Sequence, residues 1–352
     1  MDFRSDNVTG ASPEVMAALA AANAGSVSSY GADDLTQGLA KAFARLFETD
    51  RLAVFPVATG TAANALALAQ LVPPHGAVWC HRNAHIEEDE CGAPEFYSGG
   101  AKLMLLDGAG GKLAAGDLAA RLAAYPFGVE HHVQPAALSL SQATESGTVY
   151  TAAELGALAE ACRRHGLALH VDGARFANAV AHLGASPAAL TWQAGVDVLS
   201  FGATKNGALA AEAVVFFRPE LAEGFLYRRK RAGHLFSKMR FLSAQLAAYL
   251  HDDLWLRNAR HANAMAARLA AGLAALPGAA LAHPCQANEV FVTLPEAAIA
   301  RLEADGFRFH RWGAAGAGTI RLVAAFNTEA RAVDALLAAA RAALAGRAAA
   351  AP

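Results

Sequence analysis

Apolar runs of strand length alternate with helical segments through the first two thirds of this chain. The strand-length runs are LAVFPV, AVWC, KLMLLD, AALSLSQ, LALHVD, DVLSFG and AVVFF, and capped helical segments such as TAANALALAQL separate several of them. This alternation predicts an α/β fold whose sheet is parallel or mostly parallel and covered on both faces. Ligands of such sheets bind outside the carboxyl ends of the strands, so functional residues are expected there.

The pattern changes after about Leu235. A long helical stretch (Ser237–Leu276) leads into a smaller α/β unit that contains NEVFVTL, FRFHRW and TIRLVAAF. A chain of 352 residues is long enough for two domains. We therefore predict a large domain over 1–240, including the N-terminal segment, and a smaller C-terminal domain over 241–352.

Charge and composition argue against several classes of protein. The net charge is -2 and the pI is about 6.7, so no nucleic-acid surface is expected. No strongly apolar run reaches about 18 residues without polar interruption, and the N-terminus MDFRSDNVTG lacks an apolar signal core. We predict a cytoplasmic protein with no membrane segment. The cysteines and the acidic run at 87–90 lack ligand spacing, so we predict no metal site.

Two segments place a carboxylate and an amine after neighbouring strands. LHVDGARF ends a strand with Asp172, and DVLSFGATKNG ends the next one with Lys205. A lysine amine forms a Schiff base with an aldehyde, and a carboxylate keeps a pyridine nitrogen protonated so that the ring accepts electrons. The pair therefore points to pyridoxal 5'-phosphate. The alternatives are an aspartate that caps a turn and a lysine that faces solvent.

Three further features near strand ends fit the same cofactor. Gly60 and Thr61 lie between a strand and a helix, where backbone N–H groups and the helix dipole favour a phosphate, although an ordinary capped helix looks similar. Arg175 is a candidate for the phenolic oxygen of the ring or for a substrate carboxylate; a surface salt bridge is the alternative. His85 could stack on a flat ring and shuttle protons, or be an ordinary loop histidine.

Two more arginines are candidates with weaker signals. Arg321, in TIRLVAAF, is predicted on a strand of the second domain, from which it could reach the cleft and hold a carboxylate. Arg229, in the basic run YRRKRAGHLFSKMRF, could add charge at a phosphate, including that of a neighbouring subunit. The alternatives are an edge-strand arginine and a solvated helix face.

Taken together, the motifs resemble those of the low-specificity L-threonine aldolase family. This family belongs to the β-eliminating lyases, within the aspartate-aminotransferase-like (fold type I) pyridoxal phosphate enzymes. The matching segments are FRSDNVT, SYGADDLTQGL, ATGTAAN, NAHIEEDECGAPEF, LHVDGARFANA, LSFGATKNG, RKRAGHLFSKMRF and IRLVAAF, which together extend over nearly the whole chain. FRSDNVT, YGADD and HVDGAR in one sequence are a specific combination.

The resemblance implies a role for each residue that matches a family motif. Lys205 matches the lysine that binds the cofactor aldehyde, and Asp172 matches the carboxylate at the ring nitrogen. Gly60 and Thr61 match the phosphate turn, and His85 matches the histidine stacked on the ring. All of these residues would belong to a fold type I large domain.

The resemblance also implies substrate-binding residues and an assembly. Arg175 and Arg321 match the arginines near the phenolic oxygen and the substrate carboxylate, and Ser5 matches a serine close to that carboxylate. Tyr30 matches an aromatic residue that enters a neighbour's site. The implied assembly is a homo-oligomer with shared active sites, either a dimer or a tetramer.

The implied activity is cleavage of L-threonine, L-allo-threonine and related β-hydroxy-α-amino acids, such as phenylserine, to glycine and an aldehyde. The closest rival on the same scaffold is β-elimination from an aromatic amino acid, and a non-catalytic protein that retains the fold is a rival of another class. One segment departs from the family pattern. Many members have a histidine here, near the substrate hydroxyl, whereas SLSQATESGTVY has none. Thr144 or Glu145 lies nearest to the position of that histidine. His85, Glu145 and a phosphate-bound water all remain possible bases for the β-hydroxyl.

Overall fold

The structure, a computed structural model, describes residues 1–313 and 316–348. A seven-stranded sheet lies at its centre, and the strands in chain order are β1 (Ala53–Val57), β2 (Gly76–His81), β3 (Lys102–Leu106), β4 (Gln134–Ser141), β5 (Ala168–Gly173), β6 (Val198–Gly202) and β7 (Glu212–Phe216). Their order across the sheet is β1-β7-β6-β5-β4-β2-β3. Only β7 runs antiparallel to its neighbours, β1 and β6, so the predicted mostly parallel sheet is confirmed.

A second sheet has four antiparallel strands in the order β10-β11-β9-β8. These strands are β8 (Ala280–Leu281), β9 (Glu289–Thr293), β10 (His310–Trp312) and β11 (Thr319–Val323). Its hydrophobic core is separate from that of the large sheet, and it includes Phe3 from the N-terminal segment. The N-terminal segment therefore contributes to the smaller core although it precedes the large sheet in the chain.

Helices cover both sheets. They are α1 (Pro13–Ala22), α2 (Asp34–Phe47), α3 (Gly60–Leu71), α4 (His85–Glu88), α5 (Ala93–Ser98), α6 (Ala115–Ala123), α7 (Ala152–Arg164), α8 (Phe176–Leu183), α9 (Phe225–Arg231), α10 (Arg240–Leu250), α11 (Leu254–Ala274), α12 (Glu296–Ala304) and α13 (Ala330–Ala348). No helix within the described ranges has the length and hydropathy needed to cross a membrane.

The predicted helical stretch over 237–276 is broken between α10 and α11. The first helix ends where His251 is extended, with ψ 136°, and Asp252 and Asp253 then have left-handed φ angles of 48° and 53°. Side chains of α10 and of the start of α11 pack in the core of the large sheet, whereas Ala266 and the later part of α11 pack in the smaller core. The domain boundary at 240/241 stays a prediction, and α11 is the element that joins the two cores.

A buried histidine joins three central strands close to their carboxyl ends. His170 on β5 pairs through Nδ1 with Ser139 Oγ of β4 at 2.9 Å and through Nε2 with Ser200 Oγ of β6 at 3.0 Å. Burial lowers the pKa of His170 to about 4, against a favourable contribution from Asp172, so the ring is neutral at pH 7. Both ring nitrogens are therefore satisfied, and the end of β5 is held firmly between its neighbours.

Candidate active site

A cavity of about 310 Å³ opens where β4, β5 and β6 end. Its volume lies within the range of small-molecule sites, about 300–1,000 Å³. Six of the residues predicted from sequence line it, namely Gly60, Thr61, His85, Asp172, Arg175 and Lys205. These residues come from four separate stretches of the chain, which the sheet brings together at one edge.

A larger cavity of about 910 Å³ lies at the opposite edge of the same sheet. Two of its arginines are already paired, because Arg218 contacts Asp197 at 3.4 Å and Arg51 contacts Glu220 at 3.4 Å. Its lining, as far as the structure describes the chain, contains neither a lysine nor a histidine. Volume alone does not identify the functional site, and the smaller cavity carries the reactive groups.

The turn that carries Lys205 is fixed by its neighbours on both sides. Lys205 lies in one turn of 3-10 helix directly after β6, and Gly207 closes that turn with φ 111°. A Cβ atom at Gly207 would collide with Ser12 and Asn258, so only glycine fits. Asn206 donates to the Tyr249 hydroxyl and to the Trp255 carbonyl, each at 2.7 Å. The lysine side chain is therefore presented from a rigid backbone.

Glu212 supports the same turn from β7. Its Oε2 accepts the Ala203 N–H at 2.8 Å, and the side chain is part of the cavity lining. Burial raises the pKa of Glu212 to about 7, although hydrogen bonds from Thr204 and Ala203 and the charge of Lys205 oppose the shift. Glu212 therefore holds the lysine turn and retains a proton more readily than an exposed glutamate.

The junction between β1 and α3 offers backbone N–H groups to the cavity. Thr59 is the N-cap of α3, and its hydroxyl accepts the Ala62 N–H at 3.1 Å. The first N–H groups of a helix have no partner within it, and the helix dipole makes this end attractive to anions. At Gly60 a Cβ would meet no atom within 4 Å, so the surface there is open. The junction has the geometry of a phosphate site.

Asp172 and His85 are linked through two buried polar residues. Asp172 accepts the Ala174 N–H at 3.0 Å and the Asn64 amide at 2.8 Å. Asn64 Nδ2 also donates to Glu90 Oε1 at 2.8 Å, and the same oxygen lies 2.9 Å from His85 Nδ1. The ligand atoms of His85, Glu90 and Asp172 lie within 4.8 Å of one another, and these hydrogen bonds account for that proximity. The absence of a metal site stays a prediction.

Arg175 is buried between two carboxylates. It makes a two-pronged contact with Asp6, at 2.9 Å and 3.1 Å, and its Nη2 lies 3.4 Å from Glu289. Burial acts to raise the pKa of Asp6, but Arg175 and Lys205 outweigh burial and lower it. Asn288 also donates to Asp6 at 3.0 Å. The network joins the N-terminal segment, β5 and β9 beside the cavity.

The segment that departs from the family pattern places Ser141, Ala143 and Glu145 in the cavity wall, and Glu145 is the ionisable residue among them. Glu145 lines the cavity, whereas the Thr144 hydroxyl donates to the Gly110 carbonyl at 3.1 Å and contacts Thr148 at 2.8 Å. Burial raises the pKa of Glu145, and so does the charge of Asp172. Of the two residues that the sequence left open here, Glu145 is therefore the one that faces the cavity.

Ser5 and Arg321 are not among the residues that line the cavity. The Ser5 hydroxyl accepts the Asn7 N–H at 3.1 Å, and Asn7 itself lines the cavity. Arg321, on β11, has its guanidinium 4.7 Å from the Trp312 ring centre and donates to the Arg4 carbonyl at 3.4 Å. Arg321 Nε is buried and has no hydrogen-bond partner within the described ranges. The guanidinium thus has donor capacity that the described residues do not use.

Tyr30 and Arg229 do not line the cavity of the single chain. Tyr30 is half exposed, and Lys230 Nζ lies 4.5 Å from its ring centre. Arg229 is buried against Phe55 and donates to the Pro56 carbonyl at 3.3 Å, and burial lowers its pKa to about 10. Their predicted contributions to a shared site stay predictions.

Several residues of the site were missed in the sequence, namely Asp6, Asn64, Glu90, Glu212 and Glu289. Asn64 carries a usable signal, because it is the single polar residue in the apolar stretch from 62 to 69. Glu90 carries none, because four consecutive acidic residues do not show which one is buried. Asp6 and Glu289 become recognisable only when Arg175 is placed between them.

Comparison with known proteins shows which protein family the chain resembles. The chain matches the model of the beta-eliminating lyase family over residues 2–297. Over 327 residues it is 49% identical to the low specificity L-threonine aldolase of Pseudomonas aeruginosa, which covers 93% of each chain. The corresponding enzyme of a Pseudomonas sp. strain is 47% identical over the same share of each chain.

Comparison of the fold with solved structures also finds a threonine aldolase. The structure of the Leishmania major threonine aldolase superposes with a TM-score of 0.91 at 29% sequence identity. The match covers 97% of this chain and 99% of that chain, so it extends over both sheets.

Proposed function

The chain belongs to the low-specificity L-threonine aldolases within the beta-eliminating lyase family, and we propose that it cleaves β-hydroxy-α-amino acids. The substrates would be L-threonine, L-allo-threonine and relatives such as phenylserine, and the products glycine and an aldehyde. The observation that carries the proposal is one cavity that contains a lysine, an aspartate at a strand end and a helix N-terminus.

Pyridoxal 5'-phosphate fits the groups that line the cavity. The β1–α3 junction at Gly60 and Thr61 would hold the phosphate, Asp172 would face the ring nitrogen, and His85 would cover the ring. The cofactor, when bound, supplies an aldehyde that condenses with amines and a protonated ring that accepts the electrons of a bond broken at Cα. Lys205 supplies the amine of the protein for that condensation.

Substrate carboxylate binding is assigned to Arg321, with Ser5 nearby. Arg175 is less available, because Asp6 and Glu289 already offset its charge. Among the described residues, Arg321 Nε has no hydrogen-bond partner, and Arg321 Nη2 makes a long contact of 3.4 Å with a backbone carbonyl. A guanidinium holds a carboxylate in a fixed orientation, which determines the bond at Cα that lies ready for cleavage.

The Arg321→Gln variant is expected to bind its substrate poorly. A hydrogen bond to a charged group contributes about 1.5–3 kcal/mol, so KM for L-threonine should rise by about 10- to 100-fold with a smaller change in kcat. Steady-state kinetics measure both constants. Arg308→Gln, a change at an exposed arginine of the same domain, is the matched control. An unchanged KM in Arg321→Gln would contradict the assignment.

The β-hydroxyl proton requires an acceptor, and we assign it to Glu145. Glu145 and His85 both line the cavity, but different causes act on their pKa values. The hydrogen bond that His85 donates to Glu90 raises the pKa of His85 and favours the charged ring, which is a poor proton acceptor. Burial raises the pKa of Glu145 towards the range in which a carboxylate is an effective general base.

The Glu145→Gln variant is therefore expected to lose about 10²- to 10⁴-fold in kcat, because the amide cannot accept the proton. KM should change little, since the shape is retained. The acidic limb of the kcat–pH profile should also disappear with the carboxylate. If Glu145→Gln keeps wild-type kcat while His85→Asn loses it, the proton acceptor is His85 and the assignment is wrong.

The assembly is proposed to be a homo-oligomer with shared active sites. Apolar side chains at Tyr30, Leu226 and Tyr227 are exposed by 50%, 55% and 81%, next to the buried Arg229. A second copy of the chain would cover this face and bring Tyr30 towards its neighbour's cavity. Sedimentation velocity should show a dimer or a tetramer at micromolar concentration, and a monomer would contradict the proposal.

One product assay tests the proposed activity. The enzyme with added pyridoxal phosphate should convert L-threonine to equal amounts of glycine and acetaldehyde, and phenylserine to glycine and benzaldehyde. The rival, β-elimination from an aromatic amino acid, releases ammonia and a keto acid instead. Ammonia from L-tyrosine or L-tryptophan without glycine from L-threonine would overturn the proposal, and no turnover of either class would favour a non-catalytic protein.

A further inference from the structure

One member of the acidic run at residues 87–90 differs from the others. Glu87, Glu88 and Asp89 are exposed, whereas the Glu90 side chain is completely buried. A buried carboxylate is costly unless it is paired, and Glu90 is paired through one oxygen only, with His85 and Asn64. Its second oxygen is buried without a partner in the described part of the chain. Such an arrangement suggests a role besides stability.

The hydrogen bonds around Glu90 define which nitrogen of His85 carries a proton. Glu90 Oε1 is an acceptor, so His85 Nδ1 is the donor in their 2.9 Å contact. His85 Nε2 makes no hydrogen bond to any residue that the structure describes, and the ring lines the cavity. Because one ring nitrogen is engaged by Glu90, the other is left for exchange with the cavity.

Asn64 connects this pair to Asp172. Its Nδ2 donates one hydrogen to Glu90 and the other to Asp172, both at 2.8 Å. The amide thus lies between two carboxylates that would otherwise repel each other. Since both hydrogens are used, a rotation of Asn64 would break one of the two contacts, which fixes Glu90 relative to Asp172.

We propose that Glu90, joined through Asn64 to Asp172, is a positioning residue that orients the His85 ring and keeps a proton on Nδ1. The inference rests on the proposed function only in its catalytic part, which requires His85 to act at the bound cofactor. The proton on Nδ1 is a property of the protein alone and is tested separately.

The charged groups around the pair set the expected titration. The Glu90 hydrogen bond raises the pKa of His85, burial opposes it, Asp172 and Glu145 raise it further, and Lys205 lowers it. Burial and Asp172 raise the pKa of Glu90, and its bonds to His85 and Asn64 oppose this. If the Glu90 charge is removed, burial and Lys205 still lower the pKa of His85, and only the more distant carboxylates raise it. His85 should therefore lose its proton at a lower pH.

The first test measures the protonation of His85 in the apoprotein. Diethyl pyrocarbonate acylates neutral imidazole, so the pH dependence of its reaction at His85, followed by mass spectrometry of that peptide, gives the pKa. The wild-type midpoint should lie above the ordinary histidine value of about 6.5, and Glu90→Gln should lower it by about one pH unit or more. Glu88→Gln, an exposed neighbour in the same run, should leave it unchanged.

Two results of this titration would overturn the proposal. One is a wild-type midpoint at or below 6.5, which needs no variant and so holds even if Glu90→Gln fails to fold. The other is an unchanged midpoint in folded Glu90→Gln. Neither result depends on whether the protein cleaves threonine, so failure here differs from failure of the proposed function.

The second test asks whether Glu90 acts through His85. Glu90→Gln should lower kcat/KM for L-threonine by about tenfold or more in the wild-type background, because the ring is no longer held in place. In the His85→Asn background the same change should have no further effect, since the residue that it positions is absent. An equal loss in both backgrounds would show a general structural role and would refute the positioning role.

Discussion

Replacing Lys205 by alanine is expected to lower kcat for glycine release from L-threonine by about 10³-fold or more. The amine is the group that would hold the cofactor aldehyde, and no other lysine of the described ranges lines the cavity. The visible absorbance that bound cofactor acquires with the wild-type protein should also be lost. Spectra and product assays on the same sample measure both effects.

The backbone around position 205 should keep its conformation in the Lys205→Ala variant. Asn206, Gly207 and Glu212 fix the turn through contacts that do not involve the lysine side chain. Lys205→Ala should therefore unfold at close to the wild-type temperature as apoprotein, and a small primary amine added to the assay should restore part of the rate. Lys41→Ala, at an exposed lysine of α2, is the control. Wild-type absorbance and kcat in Lys205→Ala would remove the lysine from the mechanism.

The positions of Lys205 and Asp172 could be predicted because sheet topology is simple at this point. β5 and β6 are parallel neighbours, and Asp172 lies opposite Ser200 in their register. Side chains just after Asp172 and Gly202 therefore meet at one edge without any detailed knowledge of loops. The alternation of strands and helices in the sequence predicts the fold class and the large sheet. It also predicts that functional residues lie at the carboxyl ends of the strands.

Other parts of the site depend on contacts that are distant in sequence. The N-terminal segment pairs with the smaller domain, with Phe3 bonded to Arg308 and Val323, and this pairing brings Asp6 beneath Arg175. Hydrophobic periodicity in the sequence does not predict such a long-range pairing. Glu90 is buried because Cys91 and Gly92 adopt left-handed φ angles of 52° and 71° and reverse the chain after α4. Its three acidic neighbours then remain in water.

The charges of the cavity wall explain why buried glutamates with raised pKa values are useful here. Glu90, Glu145, Asp172 and Glu212 line the cavity, together with the cations Lys205 and Arg175. A phosphorylated cofactor and a substrate carboxylate would add further negative charge. Burial raises the pKa of all three glutamates, which lowers the cost of protonating them where this repulsion is strong.

Asp172→Asn is expected to lower kcat by about 10- to 1,000-fold with little change in KM. An opposite charge beside a titrating group shifts its pKa by about 1–3 units, which corresponds to about 1.4–4 kcal/mol in favour of a protonated ring nitrogen. Asparagine keeps the shape and can still accept the Ala174 N–H, but it supplies no charge. Its amide also meets the Asn64 amide, where the aspartate oxygen accepted a hydrogen bond.

A control at the other edge of the sheet separates chemistry from stability. Asp197 accepts the Leu169 N–H at 2.8 Å, ahead of β6, so Asp197→Asn should lower the unfolding temperature without lowering kcat. Asp172→Glu should restore part of the rate lost in Asp172→Asn, because the charge returns even though its distance to the ring changes. If Asp172→Asn retains wild-type kcat, or if Asp197→Asn loses as much, the end of β5 does not provide the charge that the reaction needs, and the function assigned to this cavity would have to be abandoned.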